Sequence, residues 1–255
     1  MGGGPRVLSS KNRRELSPNR HWLTVKRTDH KTLEDSEMKG IAWVITAMLF
    51  SSCSTISPRD AMQADVDQAA AIIDRFEAIP ERGIPPAVMR AARGVAILTV
   101  TKAGFIGSVR GGTGVVVART EKGWSAPSAI GTGGLGVGFQ AGAEVSEFVI
   151  VLNTPAAVDA FAKQANVTLG GNMSVAAGPI GRAAEAAVGL QAAMYTYSRT
   201  QGLFAGVSLE GTVIGTRDDV NTGYYGKPVQ ARDILTGNID APAGAQRLLA
   251  ALSKY

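Results

Sequence analysis

The residues Gly131-Thr132-Gly133-Gly134-Leu135-Gly136 have the G-x-G-x-x-G spacing with which a strand-to-helix turn cradles a dinucleotide pyrophosphate. That chemistry needs a helix opening at the last glycine and an acid about 20 residues further on to hold the ribose. Here Val137-Gly138-Phe139-Gln140-Ala141-Gly142 carries two more glycines, and residues 151–156 contain no acid. The segment therefore reads as strand, its glycines either shaping the sheet or flooring a groove where a ligand approaches backbone. Glu144 and Glu147 are three residues apart. On a strand that spacing sends them to opposite faces, which is no arrangement for a paired general acid and base. Glu144 is expected to pair with a basic residue inside the fold. Arg182 follows the turn Gly178-Pro179-Ile180-Gly181, which either presents its guanidinium to a phosphate or lets backbone carbonyls satisfy it.

Both histidines, His21 and His30, and the single cysteine, Cys53, fall within the first 53 residues. So does most of the charge. Residues 1–37 supply +3 of the net +5, Lys39 one more, and the chain from Cys53 onward only +1. The basic character belongs to a leader, and no nucleic-acid partner is expected. From Met38 the chain runs MKGIAWVITAMLFSSCSTIS, with one positive charge, an apolar run from Ile41 to Phe50, and small residues before Cys53. This is the layout of a secretory signal over 38–53, its apolar run too short to cross a ~30 Å hydrocarbon core. Leu49-Phe50-Ser51-Ser52-Cys53 resembles a bacterial lipobox, with Cys53 the lipidated residue, although Phe50 departs from the usual aliphatic side chain. The alternative is a buried cysteine behind a buried helix. Residues 1–37, long and mixed in charge, read as an over-extended start or a disordered leader. With the signal removed, the mature domain would hold no histidine and no thiol. That excludes a Ser-His-Asp triad, a Cys-His pair and a His/Cys zinc site, and no cofactor or metal is expected.

The elements that would position anything else begin near Asp60. Residues 60–77 show apolar spacing of three and four (Met62, Val66, Ala69, Ile73, Phe76) and predict a core-facing helix with Asp60 as N-cap. A membrane-surface helix is the rival reading, but its polar face is acidic. A short helix at Pro86–Ala92 precedes strands at Val95–Val100, Gly114–Arg119, Trp124–Ile130 and Phe148–Leu152, with turns at Lys102–Phe105 and Glu121–Gly123. A helix is expected at 155–163, strands at 168–177, 193–198, 203–209 and 212–214, and an ambiguous segment at 183–188. Helices follow at 218–224, 231–235 and 242–253. The pattern predicts one α+β domain over 60–255, a curled antiparallel glycine-rich sheet or barrel-like core with helices at its N- and C-terminal ends.

The segments ARGVAILTVTKAGF (92–105), GGTGVVVAR (111–119), WSAPSAIGTGGLGVGFQAGAE (124–144), FVIVLN (148–153), VTLGGNMSVAAGPIGR (167–182), YTYSRTQGLFAGVSLEG (195–211) and YYGKPVQARDIL (224–235) occur in the order found in SYLF domains. From about Ile84 onward the chain resembles that lipid-binding family. The resemblance implies a non-enzymatic domain. Eukaryotic members bind phosphoinositides, some fungal members bind actin, and many carry a Src-homology-3 or FYVE module. Bacterial members look like secreted or lipid-anchored single-domain proteins, which agrees with the signal at 38–53. The expectation is an envelope lipoprotein, exported across the inner membrane and anchored on the periplasmic side, in the outer membrane rather than the inner. Its partner would be a phospholipid surface with anionic head groups. A domain of net charge +1 needs a local basic patch for this, with Lys102, Arg110, Arg119, Arg182 and Arg199 as the contacts, each worth ~1 kcal/mol beside an anionic surface. The alternative is a structural or protein-interaction component of the envelope.

Overall fold

Ser57 starts the first helix. Its hydroxyl oxygen accepts the backbone N–H of Asp60 at 3.1 Å, Pro58 occupies the first turn, and α1 runs Pro58–Glu77. The helix thus begins ahead of the expected Asp60 cap, because a serine followed by proline meets the capping requirement earlier. The computed structural model describes residues 56–78, 83–104, 107–137, 142–163, 167–169, 174–179, 192–202 and 212–255. The leader, the signal-like segment with Cys53, Arg182, and the expected elements at 183–188 and 203–209 lie outside the described residues. The segment from Thr55 to Tyr255 forms one compact unit.

After α2 (Pro86–Ala91) come β1 (Gly94–Gly104), β2 (Gly107–Thr120), β3 (Gly123–Trp124), β4 (Ser128–Val137) and β5 (Gly142–Leu152). Then follow α3 (Pro155–Ala162), β6 (Val167–Thr168), β7 (Val175–Ala177), β8 (Met194–Gly202) and β9 (Val213–Thr216). The chain closes with α4 (Asp218–Tyr225), α5 (Ala231–Leu235), a 3₁₀ turn at Ala243–Ala245 and α6 (Gln246–Leu252). The strand order is β6-β9-β4-β2-β1-β5-β8-β7, with β3 beside β2. Every pair is antiparallel except β7 with β8, and the sheet curls strongly into a half-barrel. The α+β single domain read from the sequence is the one observed.

Three details differ from the sequence reading. Lys102–Gly104 is strand rather than turn, because β2 and β5 both pair with β1 down to Gly104. Trp124–Ile130 is not one strand: Pro127 has no N–H to give a ladder, and Ser125 bonds back across the corner, donating its N–H to the Ala118 carbonyl and accepting the Ala118 N–H on its hydroxyl. The expected strand at 168–177 is two short pieces, and they lie at opposite edges of the sheet.

The sheet is covered on both faces at one end of its strands. Val95, Ile97, Val115, Val117, Val149 and Val151 pack beneath α1, α4 and α6. Their neighbours Ala96, Leu98, Val116, Phe148, Ile150 and Leu152 pack against α3 and α5. This is why VAILTV and FVIVL are continuous apolar runs rather than alternating ones. Fully burying each Val, Ile, Leu or Phe contributes roughly 1.5–3 kcal/mol. Met62, Val66, Ile72 and Ile73 of α1 are essentially inaccessible, so the helix is a core element as expected. Asn221, also fully buried, ties α4 to β4: its Oδ1 accepts the Ala129 N–H at 2.7 Å and its Nδ2 donates to Ser128 Oγ at 3.2 Å. Gly114 sits where a Cβ would strike the Ile97 carbonyl oxygen, so β1 and β2 approach there as only glycine allows.

Candidate functional site

Beyond α1 the same sheet face changes character. Val145, Thr101, Gly111, Gly133 and Val213 stand in one cross-strand row over β5, β1, β2, β4 and β9. By strand alternation all five share the face that carries Val95 and Val117. All five are exposed, and a Cβ added at Gly111 or Gly133 would meet nothing within 4 Å. The next row, Ala143, Ala103 and Val109, is exposed too, Val109 to 62%. These eight positions carry no charge.

Polar contacts from α1 mark where cover stops. Asp65 accepts the Thr113 hydroxyl at 2.6 Å and pairs with Arg217 at 3.0 Å. Arg75 holds Glu147 through contacts of 2.6 and 3.1 Å, with Gln68 adding a third bond. Thr113 and Glu147 lie in the row that adjoins the exposed one. Burial pushes the Asp65 carboxyl above its usual range, more than the Thr113 bond and the Arg217 charge draw it down.

The opposite face of this open end is polar. Arg110, Lys102 and Glu144 are in register across β2, β1 and β5. Arg110 donates from Nη1 to Thr212 Oγ1 at 3.2 Å, and its stem lies over Gly134. Glu144 is buried and accepts the Ser146 hydroxyl at 2.9 Å, with Thr200 bonded to Ser146. Lys102 is the basic residue directly across from it, and Glu144 and Glu147 do point to opposite faces.

The five basic residues named from the sequence do not form one patch. Lys102 and Arg110 are neighbours. Arg199 lies across from Glu147 on the other face of the sheet, because alternation along β8 puts it there. Arg119 is nine residues along β2 from Arg110, about 30 Å away at ~3.3 Å per residue. It is held in place by the fold: Nε donates to the Ala92 carbonyl and Nη2 to the Met89 carbonyl, both at 3.2 Å, while the guanidinium lies 4.2 Å over the Trp124 ring. Burial lowers its pKa from the usual arginine value. The sequence reading missed the uncharged rows. Their signal was the lack of charge at alternate positions of 101–103, 109–113, 131–133 and 143–145, visible only once the register was known. Among the described residues no helix is long and apolar enough to cross a membrane.

Residues 133–255 match the Ysc84 family model, described as "Las17-binding protein actin regulator". A human protein, SH3 domain-containing YSC84-like protein 1, is 48% identical over 202 residues, covering 76% of this chain and 59% of its own length. LAS seventeen-binding protein 3 of Saccharomyces cerevisiae is 49% identical over 174 residues, 66% of this chain and 38% of its own. An SH3 domain-containing protein of Schizosaccharomyces pombe is 52% identical over 175 residues, 67% of this chain and 41% of its own. The chain thus spans about three-fifths of the human relative and less of the fungal ones. With the curled sheet in place and the matches running across it, the chain belongs to the Ysc84 (SYLF) domain family.

Proposed function

We propose that this chain is a non-enzymatic binding domain that rests on anionic phospholipid surfaces with the open end of its sheet, and that Cys53 anchors it as an envelope lipoprotein facing the periplasm, at the outer membrane. The observation that carries the reading is the pair of uncharged, exposed rows at that end, with Val109, Val145 and Val213 at 62%, 42% and 37% exposure. A contiguous apolar patch on a soluble face marks a contact surface. Lys102 and Arg110 flank it on one side of the sheet and Arg199 on the other, so small side chains can enter the head-group layer while cations meet phosphates, each for ~1 kcal/mol. Arg119, 30 Å away by the count above, is not part of this contact.

The test is co-sedimentation of the full chain, made unlipidated by Cys53→Ser, with vesicles of phosphatidylcholine alone or mixed with phosphatidylglycerol. Pelleting with the anionic vesicles is expected, weakened by Val109→Asp and by Arg110→Glu. No pelleting, or pelleting indifferent to both substitutions, removes the reading. Intact mass of the natural protein, showing diacylglycerol on Cys53, checks the anchor.

A second reading is a protein-interaction role, supported by the family description and by the relative named for binding Las17. An uncharged, exposed sheet face also suits another protein. Binding of purified actin that survives Arg110→Glu and fails with Val109→Asp would favour it.

A further inference from the structure

At the packed end of the sheet, away from the surface just described, the turn between β2 and β3, the first turn of α3 and the last turn of α5 enclose a recess of about 780 Å³. Its size lies in the range of small-molecule sites. Five charged side chains line it: Arg93, Arg119 and Lys122 against Glu121 and Asp159, with Asn238 beside them. Arg93, Lys122, Glu121 and Asp159 are exposed, and none makes a side-chain hydrogen bond or ion pair among the described residues. Exposed charges left unpaired are ordinary on a surface. What sets these apart is that they converge on one recess beside a fixed guanidinium. Arg119 spends Nε and Nη2 on carbonyls and stacks on Trp124, which leaves Nη1 as a donor whose position is already set. A donor locked in this way binds an oxyanion without first losing rotamer freedom.

We propose that this recess binds a small zwitterion, a phosphate monoester that carries an amine, with the phosphate on Arg119, Arg93 and Lys122 and the amine against Glu121 and Asp159. Phosphoethanolamine is the smallest such compound. A polyphosphate would face the two carboxylates with no charge to offer them, whereas a phosphate with an ammonium a few ångströms away answers both signs. The same pairing of phosphate and ammonium occurs free in solution as the monoester and in a lipid head group as a phosphodiester. The site is independent of the proposed membrane contact, being at the other end of the strands.

Titration calorimetry of the full chain with phosphoethanolamine and with inorganic phosphate tests this. Saturable binding of phosphoethanolamine is expected, tighter than that of phosphate. Arg93→Glu combined with Lys122→Glu should weaken it by about tenfold or more without changing the thermal melt, since both side chains are exposed. Glu121→Gln with Asp159→Asn should move the two ligands in opposite directions, weakening phosphoethanolamine and strengthening phosphate. No saturable binding overturns the proposal, and so does a shift of both ligands in the same direction. Phosphatidylcholine–phosphatidylglycerol vesicles with and without phosphatidylethanolamine separate the sources: a head-group ligand requires phosphatidylethanolamine to raise pelleting and the Arg93/Lys122 variant to lose that rise, a soluble one requires pelleting that phosphatidylethanolamine does not change. Val109→Asp should leave phosphoethanolamine binding intact, so failure of the membrane contact and failure of this site read out separately.

Discussion

At Ile97 and Leu98 strand β1 is covered on both faces, one by α1 and the other by α3 and its neighbours. From Thr101 the same strand, still hydrogen-bonded on both edges, is open on the α1 side. The two halves share a backbone ladder and differ in side chains. Large β-branched residues fill the covered half; glycine, alanine, threonine and a few valines line the open one. A ladder closes backbone polar groups wherever it runs, but only the covered half gains from burial. Fold stability and surface contact are thus divided along the length of the same strands.

Glycine substitutions should separate the halves most sharply. Gly114→Ala drives a methyl into the Ile97 carbonyl and to 2.8 Å from Leu98 Cα. It should cost more than about 3 kcal/mol or prevent folding, whereas Gly111→Ala, with open space around it, should be neutral or stabilise by up to ~1 kcal/mol in urea denaturation. Equal losses at both would break the comparison. Next, Phe148→Ala in the covered half should cost ~3–5 kcal/mol and Val145→Ala in the open half less than ~0.5 kcal/mol. Asn221→Ala leaves the Ala129 N–H buried without its acceptor and should cost about 1–3 kcal/mol by the same assay.

The smallest effect is expected at the boundary. Asp65 has a folded-state pKa above its ordinary 3.8 because desolvation outweighs its partners. A raised pKa favours the protonated form in the fold, so the contribution of Asp65 to stability is fullest below ~3.8 and declines as pH rises through the higher folded value. Asp65→Asn abolishes that dependence. As pH rises from below ~3.8 toward neutrality, the wild type should lose stability relative to the variant. A gap constant with pH would show that burial does not dominate at this carboxylate.

The helices were legible because their signals are local. The period over Met62–Phe76, the prolines at 86 and 155 and the Thr154 cap each act within a turn, and Ala231–Leu235 was read to the residue. The apolar strand centres were legible for the same reason. The glycine-rich strand ends were not. Lys102–Gly104 has little intrinsic preference for extended structure and is strand only because β2 and β5 hold it from both sides. Nor could the basic residues be grouped from the sequence. Whether Lys102, Arg119 and Arg199 meet depends on which strands are neighbours and on the parity of each register. The recess at the packed end combines Arg93 and Lys122 from two separate connections with Asp159 of α3, which no spacing announces.

The clasp between α1 and α6 has a consequence for how the protein is made. Leu248 and Leu252 complete the cluster around Met62 and Val66, and Arg247 reaches Asp74 at 3.2 Å. Gln246 follows Glu77 by 169 positions. At roughly 5–20 residues per second, a ribosome needs on the order of 10–30 s to supply the second half of that contact. For that interval the apolar stripe of α1 has no α6 to meet, and the nascent chain must keep it covered in another way. Translation speed and chaperone access should therefore affect the yield of this domain more than its final stability would suggest.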